Sequence, residues 1–280
     1  MSSIMDESPL FVKGERECAL CGRLAEMTFE HIPPKAAGNA TPVKPITLKA
    51  FLESGRKYPW ERKGIKYKNQ QAGMGVFSLC EECNNHTGHW YGAEYVGWVE
   101  RAIRMLCTVD VDKWGSVKFE EVYPQRFFKQ VLSMFCSINP KADFPDLRAY
   151  VLDKDATVID TAKYRLMMFF TKNATRRLFE LSAMGDIVSG KVTLLSEIVV
   201  PPFGFALFIN SEQKPSGEWF DITPLGLCNY DQKCTVTLPL LFQEVNGVFL
   251  GDYRSQSEII EAAESSPEPN IGEEPADKLM

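Results

Sequence analysis

The chain has 280 residues, enough for one large or two ordinary domains with a sizeable core. Apolar residues make up 45% of it and charged residues 24%, the balance of a soluble globular protein. The net charge of −6 comes wholly from the 255–280 tail, which holds seven acids against one lysine, so the rest of the chain is neutral.

In chain order, the "MSSIMDESPLF" start has neither a basic segment nor an apolar one, so no signal peptide is expected, and 1–16 reads as a lead-in. A cytoplasmic location follows by default, where eight cysteines are expected as thiols or metal ligands rather than disulfides. Residues 17–108 hold two CxxC pairs, all three histidines and a basic insertion at 35–72. "AEMTFEHI" (25–32) predicts a strand stopped by Pro33-Pro34, and "GVFSLC" (75–80) a second one. A helix is predicted from Asn84 or Asn85, its N-cap, with Tyr91, Tyr95, Trp98, Ala102 and Met105 on one face. Gly88, Gly92 and Gly97 within it suggest close packing on another backbone.

From about 109 the pattern changes. "QRFFKQVLSMFCSI" (125–138) predicts an amphipathic helix, and "PDLRAYVLD" (145–153) a shorter one with proline at its start. "KYRLMMFFT", "KVTLLSEIVV", "FGFALFIN", "EWFDI" and "CTVTLPLLFQE" predict strands separated by Gly, Pro and Asn turns. The longest apolar stretch, "IVVPPFGFALFI" (198–209), is broken by proline and glycine and too short to span a bilayer, so no membrane partner is expected. The 109–254 segment therefore reads as an α+β accessory unit for regulation, targeting or oligomerisation, and 255–280 as an acidic disordered tail.

The two CxxC pairs, Cys18/Cys21 and Cys80/Cys83, are separated by 58 intervening residues. Each pair presents two thiolates to one ion, and four thiolates leave no open position, so a structural zinc is expected. Cys107, Cys136, Cys228 and Cys234 lack ligand spacing and are expected as core thiols. The insertion carries nine Lys and Arg against Glu53 and Glu61, a net +7 suited to nucleic acid. Its Lys35, Arg56, Lys57, Arg62, Lys63, Lys66 and Lys68 are the candidate phosphate contacts, with Tyr58, Trp60 and Tyr67 interleaved either to stack on bases or to pack locally.

The order CxxC, strand ending "EHIPP", CxxC, "NN" and helix resembles the HNH, or ββα-metal, endonucleases on a treble-clef zinc scaffold, over about 18–107. The resemblance implies an α+β chain: an N-terminal ββα-metal zinc domain, then the mixed helix and antiparallel-sheet unit. It makes His31 the general base, and Glu30 and Asn84 ligands of a catalytic Mg²⁺ or Mn²⁺. Asn85, His86 and His89 are further first-turn candidates for metal or phosphate, against a plain surface role, and Glu94 is a helix carboxylate without a role. The implied activity is hydrolysis of DNA phosphodiester bonds, in the manner of defence nucleases, with RNA or branched DNA as other substrates. The chain departs from the pattern at Gly75, where many such proteins carry an Asn that orients the catalytic His. The alternative is a zinc-stabilised module that binds nucleic acid or protein without cutting. A homo-oligomer or regulatory partner would engage 109–254, and the acidic tail would restrain the basic insertion.

Overall fold

A computed structural model describes residues 9–65, 67, 69–108, 115–171, 173, 175–185, 192–210 and 219–265. These residues form a mixed α+β molecule with antiparallel sheets. No helix among them is long and apolar enough to cross a membrane.

The first sheet has the order β1 (Glu15–Glu17), β2 (Leu24–His31), β3 (Gly75–Cys80). Residues 15 and 16 of the expected lead-in thus pair with β2, together with Glu17. Between β2 and β3 runs the insertion, with a short helix α1 (Leu48–Glu53) whose first turn is capped by the Thr47 hydroxyl accepting from Ala50 N. Lys66 and Lys68 lie outside the described residues.

The helix after β3 starts earlier than predicted. Helix α2 (Glu81–Thr87) has Cys80 at its N-cap, not Asn84 or Asn85. Cys80 ends β3 in extended geometry, and Glu81 and Glu82 fill the first turn, where the positive end of the helix dipole favours acids. A π-helical turn, Gly88–Gly92, then leads into α3 (Ala93–Thr108). The glycines do not mark backbone contact: Gly88 and Gly97 face open space, and Gly92 comes no nearer than ordinary contact with Gln130.

The boundary expected near 109 falls in 109–114, outside the described residues, and the core on either side is continuous. Trp98 of α3 lies stacked between Phe119 of β4 (Ser116–Val122) and Phe127 of α4 (Pro124–Ile138), at 4.4 and 4.1 Å. Glu94 ties the joint together, accepting from Trp98 Nε1 at 2.9 Å and Tyr123 N at 3.1 Å. Its role is therefore to satisfy the backbone ahead of α4. All of α4 but Arg126 is buried, since its apolar residues meet α3 and β3 on one side and the large sheet on the other. The following helix, α5 (Pro145–Leu152), lies beside it.

That sheet has the order β6 (Arg177–Gly185), β7 (Val192–Val200), β8 (Phe203–Ile209), β5 (Tyr164–Phe170), β9 (Phe220–Asp221). β8 is buried along its whole length, as a strand covered on both faces must be. β10 (Cys234–Pro239) pairs with β4. β6 matches no predicted strand: it is a half-exposed edge, bulged between Phe179 and Ser182, so it lacks clean alternation. The expected disorder from 255 is also corrected, because α6 (Gln256–Ser265) is a helix. Ser255 and Glu258 form a reciprocal capping box at its start, Ser255 N reaching Glu258 Oε2 at 2.7 Å and Glu258 N reaching Ser255 Oγ at 3.2 Å. Residues 266–280 lie outside the described residues.

Candidate metal centre and the histidine beside it

The four paired cysteines converge. Their sulfurs lie within 4.8 Å of one another, the one group among the described residues in which three or more His, Cys, Asp or Glu stand close enough to share an ion. Four thiolates at about 2.3 Å from one zinc would stand about 3.8 Å apart. Cys21 Sγ and Cys80 Sγ are 3.8 Å apart. The donor set and its spacing fit zinc.

Local sequence explains the convergence. The first knuckle turns at Gly22, whose φ of +71° disfavours other residues, and closes through Gly22 N donating to Cys18 O at 2.9 Å. The second straddles the β3–α2 junction, so its cysteines fall at the N-cap and in the first turn. Cys80 N donates to Cys18 Sγ at 3.3 Å, and Arg23, ion-paired with Glu82, donates to Cys21 Sγ at 3.5 Å. A hydrogen bond from Cys83 lowers the Cys18 thiol to about 4, and the same bond raises Cys83. Of the other four cysteines only Cys136 is a core thiol: Cys107 is exposed, and Cys228 and Cys234 are half-buried.

The cysteine knuckles position the end of β2. Thr28 pairs with Leu79 but Phe29 pairs with Phe77, so Ser78 is an extra residue on β3. Its carbonyl accepts from Ala19 N of the first knuckle at 2.8 Å. A bulge re-aims the residues beyond it. Beyond this one, Phe29 and His31 share a face, their rings meeting edge-on at 4.9 Å, and Glu30 points to the other.

Glu30 is buried, with no hydrogen bond or ion pair among the described residues. Burial alone raises its carboxyl pKa to about 8, which favours the neutral acid near pH 7, and a nearby cation would favour the carboxylate. Asn84, half-buried in α2, donates from Nδ2 to Thr28 Oγ1 at 2.9 Å and Phe29 O at 3.2 Å, beside the Glu30 backbone. Its Oδ1 accepts from no described residue. Asn85, His86 and His89 are exposed. His86 stacks on Trp90 at 4.8 Å, and neither histidine joins a ligating group with Glu30.

His31 is half-buried, and its Nε2 donates to the Ala72 carbonyl at 3.0 Å. That bond sets the tautomer, leaving the lone pair on Nδ1. Burial lowers the imidazole pKa first, Lys35 adds to this, and the Ala72 bond opposes it. The group is a neutral base at neutral pH, able to take a proton at Nδ1. Gly75 pairs directly with His31, and a Cβ there would stand 2.1 Å from Glu30 O. No asparagine fits at that place; a backbone carbonyl orients the ring instead.

Sequence reasoning missed what holds that carbonyl. Asn39 is fully buried and clamps the 72–74 loop, donating to Pro33 O and Met74 O, both at 2.7 Å, and accepting from Met74 N at 2.8 Å. Gly73, at φ +99°, passes so close to Asn39 that a Cβ would collide with its carbonyl. Asn39 and Gly73 carry no spacing signal.

In the insertion, Lys35, Arg56, Lys57, Arg62 and Lys63 are exposed. Tyr58 stacks on Trp60 at 5.2 Å and Lys44 sits over Tyr67 at 4.9 Å, so these aromatics pack locally. A groove of about 230 Å³ separates the insertion from the C-terminal segment, lined by Phe51, Lys57 and Pro59 against Val248, Ile259 and Ala262. Compared with family models, curated proteins and solved structures, the chain matches none.

Proposed function

We propose that this chain is a metal-dependent endonuclease of the HNH, ββα-metal type, hydrolysing DNA phosphodiester bonds. The observation that carries the proposal is His31. A neutral imidazole anchored at Nε2 by Ala72, at the end of a strand set by two metal knuckles, suits a general base better than a packing residue. The zinc bound by Cys18, Cys21, Cys80 and Cys83 is structural, because four thiolates leave it no site for water.

Glu30 fits a second, hard cation: it is a buried carboxyl without a described partner, adjacent to His31 in the chain and on the other face of β2. With Oδ1 of Asn84 it would hold Mg²⁺ or Mn²⁺, which when bound stabilises charge developing at the phosphate and leaving oxygen. The rest falls to the chain's own groups. His31 takes the proton of the attacking water at Nδ1, while Ala72 keeps Nε2 from competing. Lys35, Arg56, Lys57, Arg62 and Lys63, with Lys66 and Lys68, contact the phosphate backbone without reading base sequence. Duplex DNA is the proposed substrate, with RNA and branched DNA to be tried beside it.

The test is cleavage of supercoiled plasmid in Mg²⁺ or Mn²⁺ by wild type and His31→Ala, both with zinc retained. Nicking by wild type alone supports the nuclease. Equal inactivity of the two would favour a zinc module that binds without cutting.

A further inference from the structure

The Asn39 clamp has a partner from the far half of the chain. Arg176, one residue ahead of β6, donates from Nη1 to Asn39 Oδ1 and from Nη2 to Gly38 O, both at 3.3 Å. Its backbone is fixed by its neighbour. Arg177 is buried in a two-bond ion pair with Glu197, at 2.7 and 3.0 Å, and also donates to Gly247 O and Asp252 O. Tyr253 closes the cluster, its hydroxyl donating to the same Glu197 at 2.9 Å.

We propose that Arg176 is a positioning residue for His31, holding through Asn39 the loop whose Ala72 carbonyl selects the imidazole tautomer. The path is short and made of named bonds. Arg176 and Met74 N share Asn39 Oδ1, while Asn39 Nδ2 ties Met74 O to Pro33 O, two residues after His31. Ala72, two residues before Met74, meets the ring. A guanidinium presents its donors in a fixed planar fork, a geometry that the single Nζ of a lysine does not reproduce. The large sheet thereby contributes to a site whose other parts all come from the first third of the chain. The catalytic meaning of this, though not the coupling, rests on His31 being the base.

Three histidines make the test direct. Long-range ¹H–¹⁵N spectra of the imidazoles are recorded on the full-length, zinc-loaded protein at one pH, without DNA or magnesium. Wild-type His31 is expected as the Nε2–H tautomer. In Arg176→Ala a fraction of Nδ1–H tautomer is expected, and more in Asn39→Ala. Arg176→Lys keeps the charge but loses the fork, and is expected to shift the ring the same way; it carries the test if the alanine variant does not fold. A His31 spectrum unchanged in a folded Arg176 variant overturns the proposal. In the cleavage assay the variant should lose about tenfold in kcat, the worth of one orienting hydrogen bond, with KM for DNA unchanged. A shifted tautomer in a protein that cuts nothing would uphold the coupling and remove the nuclease reading. Cleavage by a protein whose His31 does not respond to Arg176 would do the reverse.

Discussion

Glu30 sits where a carboxyl is unfavourable: buried, with no partner among the described residues, its pKa raised to about 8. Burying a carboxyl without a hydrogen bond or counter-charge costs stability. Glu30→Gln should therefore leave the melting temperature unchanged or raise it while abolishing metal-dependent cleavage; a clear fall in melting temperature would make Glu30 a structural residue. Gly75 poses the opposite case. Restoring the asparagine of the resembling family by Gly75→Asn drives a Cβ to 2.1 Å from Glu30 O, and overpacking of this kind costs about 1–3 kcal/mol or more. Denaturant unfolding checks this: loss of stability is expected, and a neutral result would mean the strands can part there without cost.

At the scale of elements, the four-cysteine cluster joins three pieces at once: the first knuckle, the end of β3 and the start of α2. Chelating the zinc should release α2 and the β2–β3 pairing together, lowering the melting temperature and ending cleavage even in excess Mg²⁺; activity surviving verified zinc loss would contradict this. The α6 cap is a smaller lever, and Ser255→Ala should cost about 1 kcal/mol of local stability, read by hydrogen exchange in α6. Much of this was legible beforehand. The CxxC spacing named the four cysteines that converge, and "GVFSLC" marks β3 from Gly75 to Cys80 as an apolar run between Gly73 and the second cysteine pair. The "SQSE" capping box was equally readable, yet the acid-rich composition after it pointed to disorder. β6 was not legible, since an edge strand half open to water needs no alternation. Nor was the His31 anchor. Its acceptor is a backbone carbonyl 41 residues away, and its remote support, Arg176, lies 137 residues from Asn39, contacts that leave no trace in residue spacing.

Across the whole molecule, a near-neutral body carries a +7 insertion and an acidic C-terminal segment. The structure brings these close, with α6 facing α1 and the 57–59 stretch across the groove. Deleting 255–280 should raise affinity for duplex DNA at low salt, because it removes seven acids, Glu258, Glu261 and Glu264 of α6 among them; unchanged affinity would mean the tail does not restrain the insertion. What separates a nuclease from a zinc-held binding module is a second, oxygen-bound cation. The measurement to make is therefore a Mn²⁺ titration of the zinc-loaded protein, followed by electron paramagnetic resonance, with and without a duplex oligonucleotide, for wild type and Glu30→Gln. One Mn²⁺ site in wild type, lost in the variant while zinc stays bound, is the predicted result. No manganese site in wild type, or an equal one in both proteins, would contradict the assignment of Glu30 and with it the nuclease reading.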